Sequence, residues 1–185
     1  NYMRTVTFAM NISLDGYCDH TMAAPDDALM DYFTATMDDV DLLFYGRIMY
    51  QLMFPYWADA AKNGTGTPAE LRFAKRLSEI DRVVMSRSLT EGDEKTRIIK
   101  GNAAEELRKL KQLPGKKISV DSVSLLPELI EAGLIDEFNL VIHPLLVGKG
   151  RPLLPTGSLQ QALNLKLVDT KNFSSGCVAH HYAKL

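Results

Sequence analysis

Short apolar strands alternate along this chain with capped, amphipathic stretches, and that alternation narrows the folds open to it. Leu42-Leu43-Phe44-Tyr45 is apolar at every position, as expected of a strand covered on both faces. Val6-Thr7-Phe8-Ala9-Met10-Asn11-Ile12 reads as a buried first strand. Arg82 to Ser86, Thr96 to Ile99, Lys117 to Val120 and Asp136 to His143 read as further strands, the last ended by Pro144. Helical patterns fall between them. Asp26 can cap a helix whose apolar residues Leu29, Tyr32, Phe33 and Met37 recur at helical spacing. Thr67-Pro68-Ala69-Glu70 combines a cap, a proline at the first helical position and a capping box. Asn102 caps Ala103 to Leu113, and Ser124 caps a helix through Ala132 that Gly133 stops.

Gly46-Arg47 turns the Leu42 strand into a helix that reads through Met53. Phe54-Pro55-Tyr56-Trp57 should end it, because the residue before a proline is pushed out of the helical region. Leu163 to Lys171 and Cys177 to Tyr182, joined by Ser174-Ser175-Gly176, read as an antiparallel hairpin. The expected fold is therefore α/β: a mostly parallel sheet with a C-terminal antiparallel edge and helices on both faces.

A chain of 185 residues suits one domain over residues 1–185. At that length roughly 70% of the unfolded surface is buried, so neither a disulfide nor a metal is needed to fold. A net charge of −2 argues against a nucleic-acid footprint. No polybasic cluster would hold the chain to an anionic membrane, and no apolar run approaches the ~20 residues that span one. Cys18 and Cys177 share no metal-type or disulfide-framework spacing and read as reduced thiols in a cytoplasmic protein. Asn1-Tyr2-Met3-Arg4 shows no signal-peptide apolar region.

Open α/β sheets bind ligands beyond the carboxyl ends of their strands, and three strand ends carry suitable groups. At Gly46-Arg47, glycine admits a close backbone approach, the following helix offers N–H groups and arginine offers a planar fork. The plainer reading is a tight turn and a solvated cation. Ser86-Arg87-Ser88 places two hydroxyls around a guanidinium, either a phosphate clamp or a polar loop. Asp121-Ser122-Val123-Ser124-Leu125 lies between a strand and a helix, where a diphosphate could rest on helix N–H groups or Ser124 could simply cap. His20, His143, His180 and His181 lack metal-ligand spacing. Neither cysteine sits in a nucleophile motif, and Gly148-Lys149-Gly150-Arg151 reads as a basic loop or solvated turn.

In order, these pieces resemble one family. Ser13-Leu14-Asp15-Gly16 is similar to the Ser-Leu-Asp-Gly signature of riboflavin-pathway reductase domains of the RibD C-terminal type. Tyr45-Gly46-Arg47 and Ser86-Arg87-Ser88-Leu89 resemble the Met-Gly-Arg and Ser-Arg-Thr-Leu elements of dihydrofolate-reductase-like folds. Gly133 to Glu137 followed by His143 to Gly150, and the terminal hairpin, resemble the family's C-terminal signature. The resemblance implies a three-layer α/β/α sandwich, an NADPH-dependent reductase of a small pyrimidine or pterin, and a homodimer. It places Asp15 near nicotinamide and substrate as the catalytic candidate. Gly46 and Arg47 would lie at the cofactor phosphates, Ser86, Arg87 and Ser88 at the adenosine 2′-phosphate, and Asp121 with Ser122, Val123, Ser124 and Leu125 at the diphosphate.

Two positions depart from the family pattern. Met49 replaces a threonine, and Asp121 replaces a glycine. The Asp121 carboxylate is expected to repel a diphosphate, to point away, or to pair with Arg47 or Lys149. Met49 and Asp121 also motivate the alternative of a non-catalytic nucleotide-binding protein on the same fold.

Overall fold

In a computed structural model, residues 3–18 and 25–185 are described. Part of the polar loop from Ser13 to Pro25, including His20, lies outside them, as do Asn1 and Tyr2. The strands are β1 (Val6–Ser13), β2 (Val40–Gly46), β3 (Asp81–Met85), β4 (Thr96–Ile99), β5 (Lys117–Val120), β6 (Glu137–His143), β7 (Leu165–Asn172) and β8 (Val178–Lys184). The helices are α1 (Asp27–Thr36), α2 (Arg47–Asn63), α3 (Pro68–Glu79), α4 (Ala103–Gln112) and α5 (Leu126–Glu131). One sheet runs β4-β3-β2-β5-β1-β6-β8-β7. Pairing is parallel from β4 to β6 and antiparallel for β6–β8 and β8–β7.

Two helical layers cover the two faces. Leu107 and Leu110 of α4 and Leu126 and Leu129 of α5 pack on Val6, Phe8, Phe44, Ile118, Val120 and Phe138. Opposite them, residues of α1, α2 and α3, among them Met30, Phe54, Phe73 and Leu77, pack on Leu43, Tyr45 and Val84. Three N-caps form as their sequences require: Asp26 accepts from the Leu29 N–H at 2.9 Å, Thr67 from Glu70 at 3.3 Å and Asn102 from Glu105 at 2.9 Å.

Most boundaries shift by no more than two residues from the sequence reading, but the end of α2 and the entry to α5 differ in kind. Helix α2 does not stop at Phe54 but carries Pro55 within it and runs to Asn63, where Gly64 closes it at φ +66°. An interior proline costs about 3 kcal/mol. Aromatic packing on both sides of it offsets that cost. Phe54 meets the Tyr45 ring edge-on at 5.4 Å and lies under the Arg82 guanidinium at 4.2 Å, while Trp57 packs on Phe73 at 4.7 Å. Ser124, in turn, caps nothing. The chain leaves β5 through a 3-10 turn, Val123–Leu125, that contains Ser124, and α5 begins after it with Pro127 in its first turn. Among the described residues no helix is long and apolar enough to cross a membrane.

Candidate functional site

The centre of the sheet has two unlike faces. Val6 and Phe8 of β1, Ile118 and Val120 of β5 and Phe138 of β6 point into the core beneath α4 and α5. Because side chains alternate along a strand, the intervening residues face α1 and α2. They are Thr7, Ala9 and Asn11 of β1, Ser119 of β5 with Asp121 just beyond it, and Asn139 and Val141 of β6. A stretch of sheet covered by helices would ordinarily be apolar, yet this one is mostly polar. Above it opens a cavity of about 430 Å³. Its other wall is apolar: Tyr32 and Phe33 of α1, Met37 just after it, and Ile48, Met49, Leu52 and Met53 of α2. Cys18 and Arg151 also line it. A concave, largely apolar chamber with a few convergent polar groups is the usual form of a small-molecule site.

Asp121 is the one carboxylate on that wall among the described residues. Burial pushes its pKa up to about 7, against the Ser119 hydroxyl donating to Oδ1 at 2.9 Å and a backbone bond from Ala9. The carboxyl therefore holds a proton over part of the neutral range. The expected partners are elsewhere: Arg47 donates to Gln51 of its own helix at 2.9 Å, and no ion pair joins Asp121 to Lys149 among the described residues. Cys18 is also kept protonated, burial raising its pKa to about 11 against the nearby Arg151 charge.

The remaining candidates fall in two groups. Strands β3, β2 and β5 are neighbours, so Ser86-Arg87-Ser88, Gly46-Arg47 and Ser122–Leu125 line up along one edge of the sheet at strand spacings of about 4.8 Å. Some of their polar groups are already used. The Gly46 N–H donates to the buried Ser122 hydroxyl at 2.7 Å. A Cβ on Gly46 would stand 3.0 Å from Ser124 Oγ, so this glycine admits the neighbouring loop. Ser86 Oγ accepts from the N–H groups of Ser88 and Leu89, closing its own turn. Arg47, Arg87, Ser88 and Ser124 remain exposed along this edge. Val123 and Leu125 belong to the turn itself, Val123 buried and Leu125 half-buried, and Ser122, Val123 and Ser124 also line the end of the cavity.

Asp15 stands apart from both the edge and the cavity wall. Its exposed carboxylate accepts from Ser13 Oγ at 2.6 Å, from Gly148 N–H at 2.8 Å and from Val147 N–H at 3.2 Å. Those bonds, the Ser13 hydroxyl foremost, hold its carboxyl below the usual range. They tie the turn after β1 to the loop after β6. Asn11, Ser119 and Asn139 were not singled out in the sequence. Their signal was there in the alternation Val6/Phe8 against Thr7/Asn11 and Ile118/Val120 against Ser119/Asp121, but it becomes a site only once β5, β1 and β6 are known to be adjacent.

This strand order and layering are those of the dihydrofolate-reductase-like fold, and its solved neighbours include reductases. A Shewanella sp. PV-4 protein attributed to riboflavin biosynthesis superposes with a TM-score of 0.72 at 20% identity, over 98% of this chain and 99% of that one. Dihydrofolate reductase of Enterococcus faecalis, solved with NADP(H), superposes with a TM-score of 0.63 at 11% identity, over 97% and 96%. The chain belongs to the RibD C-terminal domain family, which matches residues 4–179. The uncharacterized protein YyaP of Bacillus subtilis (strain 168) is 34% identical over 179 residues, 95% of this chain and 92% of that one.

Proposed function

We propose that this chain is an NADPH-dependent reductase of a small heterocycle of pyrimidine or pterin type. The observation that carries the reading is the cavity on the polar centre of the sheet, with one proton-holding carboxyl in its wall. The family and fold support the reductase class. The cofactor fits the chain's donors: Arg47, Arg87, Ser88 and Ser124 are exposed in a row along the strand ends, with fork-shaped guanidinium groups suited to phosphate. The sequence-level objection that Asp121 would repel a diphosphate weakens, because its carboxyl faces the cavity and is partly neutral near pH 7.

The cofactor, when bound, supplies a hydride. The chain's own groups do the rest. Asp121 gives a ring nitrogen the proton that balances hydride addition to the neighbouring carbon of a C=N bond. It is left as a carboxylate, to be reprotonated from solvent, with the Ser119 hydroxyl bonded to Oδ1 throughout. The methionines and aromatic rings of α1 and α2 exclude water and clamp a planar ring. Arg87 and Ser88 would take the 2′-phosphate, Arg47 and Ser124 the diphosphate, and Asp15 acts by holding the loop at Val147 and Gly148, which leads on to the cavity-lining Arg151. The edge strand β7, with Leu167 and Val168 about half exposed, is the surface for a homodimer, since an edge strand offers unpaired N–H and C=O groups to a second chain. Both cysteines are free, which suits the reducing cytoplasm.

Calorimetric titration with NADPH and NADH, followed by turnover assays on a pyrimidine and pterin panel, tests the reading. Tight NADPH binding with a rate that Asp121→Asn abolishes is expected. No binding at millimolar NADPH would overturn it.

A further inference from the structure

A line of three side chains leads from the core to the cavity wall. Asn11 Oδ1 lies 3.0 Å from His143 Nε2, and His143 Nδ1 lies 3.4 Å from Cys177 Sγ. His143 ends β6 and is 4% exposed; Cys177 precedes β8 and is 5% exposed. Asn11 alone of the three lines the cavity. We infer that Asn11 selects ligands bearing a carbonyl oxygen on a planar ring, and that His143 and Cys177 are positioning residues that fix its amide for this. The inference rests on the reductase reading of the cavity.

The orientation follows from donor counting. Burial lowers the pKa of His143, so the ring is neutral and carries one N–H. Two arrangements are open. In one, the thiol donates to Nδ1 and Nε2–H donates to the Asn11 carbonyl. In the other, Nδ1–H points at a sulfur and the Asn11 amide N–H at Nε2. Sulfur is a weak acceptor and an amide oxygen a good one, so the first arrangement makes the better pairs. It uses the Asn11 oxygen and leaves Nδ2, which has no hydrogen-bond partner among the described residues, to donate into the cavity. A carbonyl accepts from it; a ring N–H or amino group at that spot meets a donor.

The Cys-His-Asn order resembles a nucleophilic triad, but the setting excludes that use. The thiol is enclosed by Leu29, Val141, Phe173 and Ala179 and does not reach the cavity. It can donate a hydrogen bond and little else. Both ends of the relay are anchored: Asn11 pairs with Val141 across β1 and β6, and the Cys177 carbonyl accepts from the Phe173 N–H at 3.0 Å. Asn11 therefore presents its amide from a rigid strand, which suits discrimination better than a loop does.

Two ligands can supply the carbonyl: the carboxamide of the cofactor's nicotinamide, or an oxo group of the substrate. The test separates them. Wild type, Asn11→Asp, Asn11→Ala, Cys177→Ala and Cys177→Ser are titrated calorimetrically with NADPH alone, and with uracil in the presence of NADP+. The imidazole nitrogens of His143 are followed by 15N spectra in the same proteins. Asn11→Asp, which turns the cavity-facing donor into an acceptor, should weaken one of the two titrations at least tenfold, and Asn11→Ala should weaken it less. The NADPH titration identifies the cofactor's carboxamide, the uracil titration a substrate carbonyl. Wild-type spectra should report the Nε2–H tautomer, Cys177→Ala a mixture of tautomers with a several-fold loss of the same ligand, and Cys177→Ser recovery of both. NADPH binding by wild type with neither titration changed in the Asn11 variants overturns the role of Asn11. An Nδ1–H tautomer in wild type overturns the relay. If wild type binds neither probe, the reductase reading fails and the ligand role of Asn11 with it, while the nitrogen spectra still decide the relay.

Discussion

The two faces of strands β5, β1 and β6 are built from the same stretches of chain and do opposite work. Toward α4 and α5 the alternate residues are Val6, Phe8, Ile118, Val120 and Phe138, none more than 4% exposed. Toward α1 and α2 they are Thr7, Ala9, Asn11, Ser119, Asp121, Asn139 and Val141, mostly polar, with a cavity where a core would otherwise be. One face contributes stability through area removed from water. The other gives that stability up so that polar groups can meet a ligand. The contrast makes a sharp claim: damage to the first face should lower stability and spare recognition, and damage to the second should lower recognition or turnover without lowering stability.

The largest effect is expected from Phe8→Ala. Phe8 is fully buried and its ring lies 6.1 Å from that of Phe138. Removing it should cost about 3–5 kcal/mol in denaturant unfolding. NADPH affinity of the folded fraction should stay within about twofold, under ~0.5 kcal/mol. A larger loss of affinity without loss of stability would mean that the two faces are not separable.

Asp121→Asn is the counterpart on the polar face. The folded pKa of Asp121, about 7, lies above its ordinary 3.8. The folded state therefore holds its proton more tightly than the unfolded chain does, and this group's contribution to stability is fully present below pH 3.8. That contribution should be lost as pH rises from about 4 to 7, by up to about 4 kcal/mol at about 1.4 kcal/mol per pKa unit. Asparagine does not titrate, so the mutant should gain on wild type over that window while losing turnover. Parallel melting curves against pH check this. A constant difference from pH 4 to 8 would show that the carboxyl titrates normally.

These two residues also mark what could be read from sequence. Phe8 sits in an apolar run, and such runs, with the caps Asp26, Thr67 and Asn102, fix the element order because each signal lies within a few residues of its effect. Pro55 misled because local proline chemistry was outweighed by contacts to Tyr45, Arg82 and Phe73, made across the fold. Ser124 misled because Pro127, three residues on, sets where α5 begins. Asp121 was visible as an odd residue but not as part of a cavity wall: its neighbours Ala9, Asn11 and Asn139 come from strands whose adjacency no local pattern shows. Asp15 is similar, since Val147 and Gly148 reach it from more than 130 residues away.

A smaller effect is expected at the strand-end edge, which belongs to neither face. Arg87→Ala should weaken NADPH by about tenfold or more, or roughly 1.5–3 kcal/mol for a charge-assisted bond, and leave NADH nearly unchanged. Isothermal titration of both cofactors decides it; equal losses would show that this loop does not read the 2′-phosphate.

The smallest effects give the finest comparison, because two helix caps of the same geometry stand on opposite layers. Asp26 accepts from Leu29 N–H and Asn102 from Glu105 N–H, both at 2.9 Å. Each substitution by alanine should cost about 1 kcal/mol of stability, so thermal melts should hardly tell them apart. Ligand binding should. Helix α1, capped by Asp26, carries Tyr32, Phe33 and Thr36 into the cavity wall; α4, capped by Asn102, turns Leu107 and Leu110 into the opposite core. Fraying the first turn of α1 loosens the wall that a planar ring would rest on, whereas fraying α4 loosens only packing. Asp26→Ala should therefore weaken NADPH or ring-analogue binding a few-fold, under about 1 kcal/mol, with Asn102→Ala matching wild type. Equal affinities in the two mutants would mean that the lower part of α1 is held by its packing on α3 rather than by its cap, and that the cavity's apolar wall is stiffer than its hydrogen bonds alone would make it.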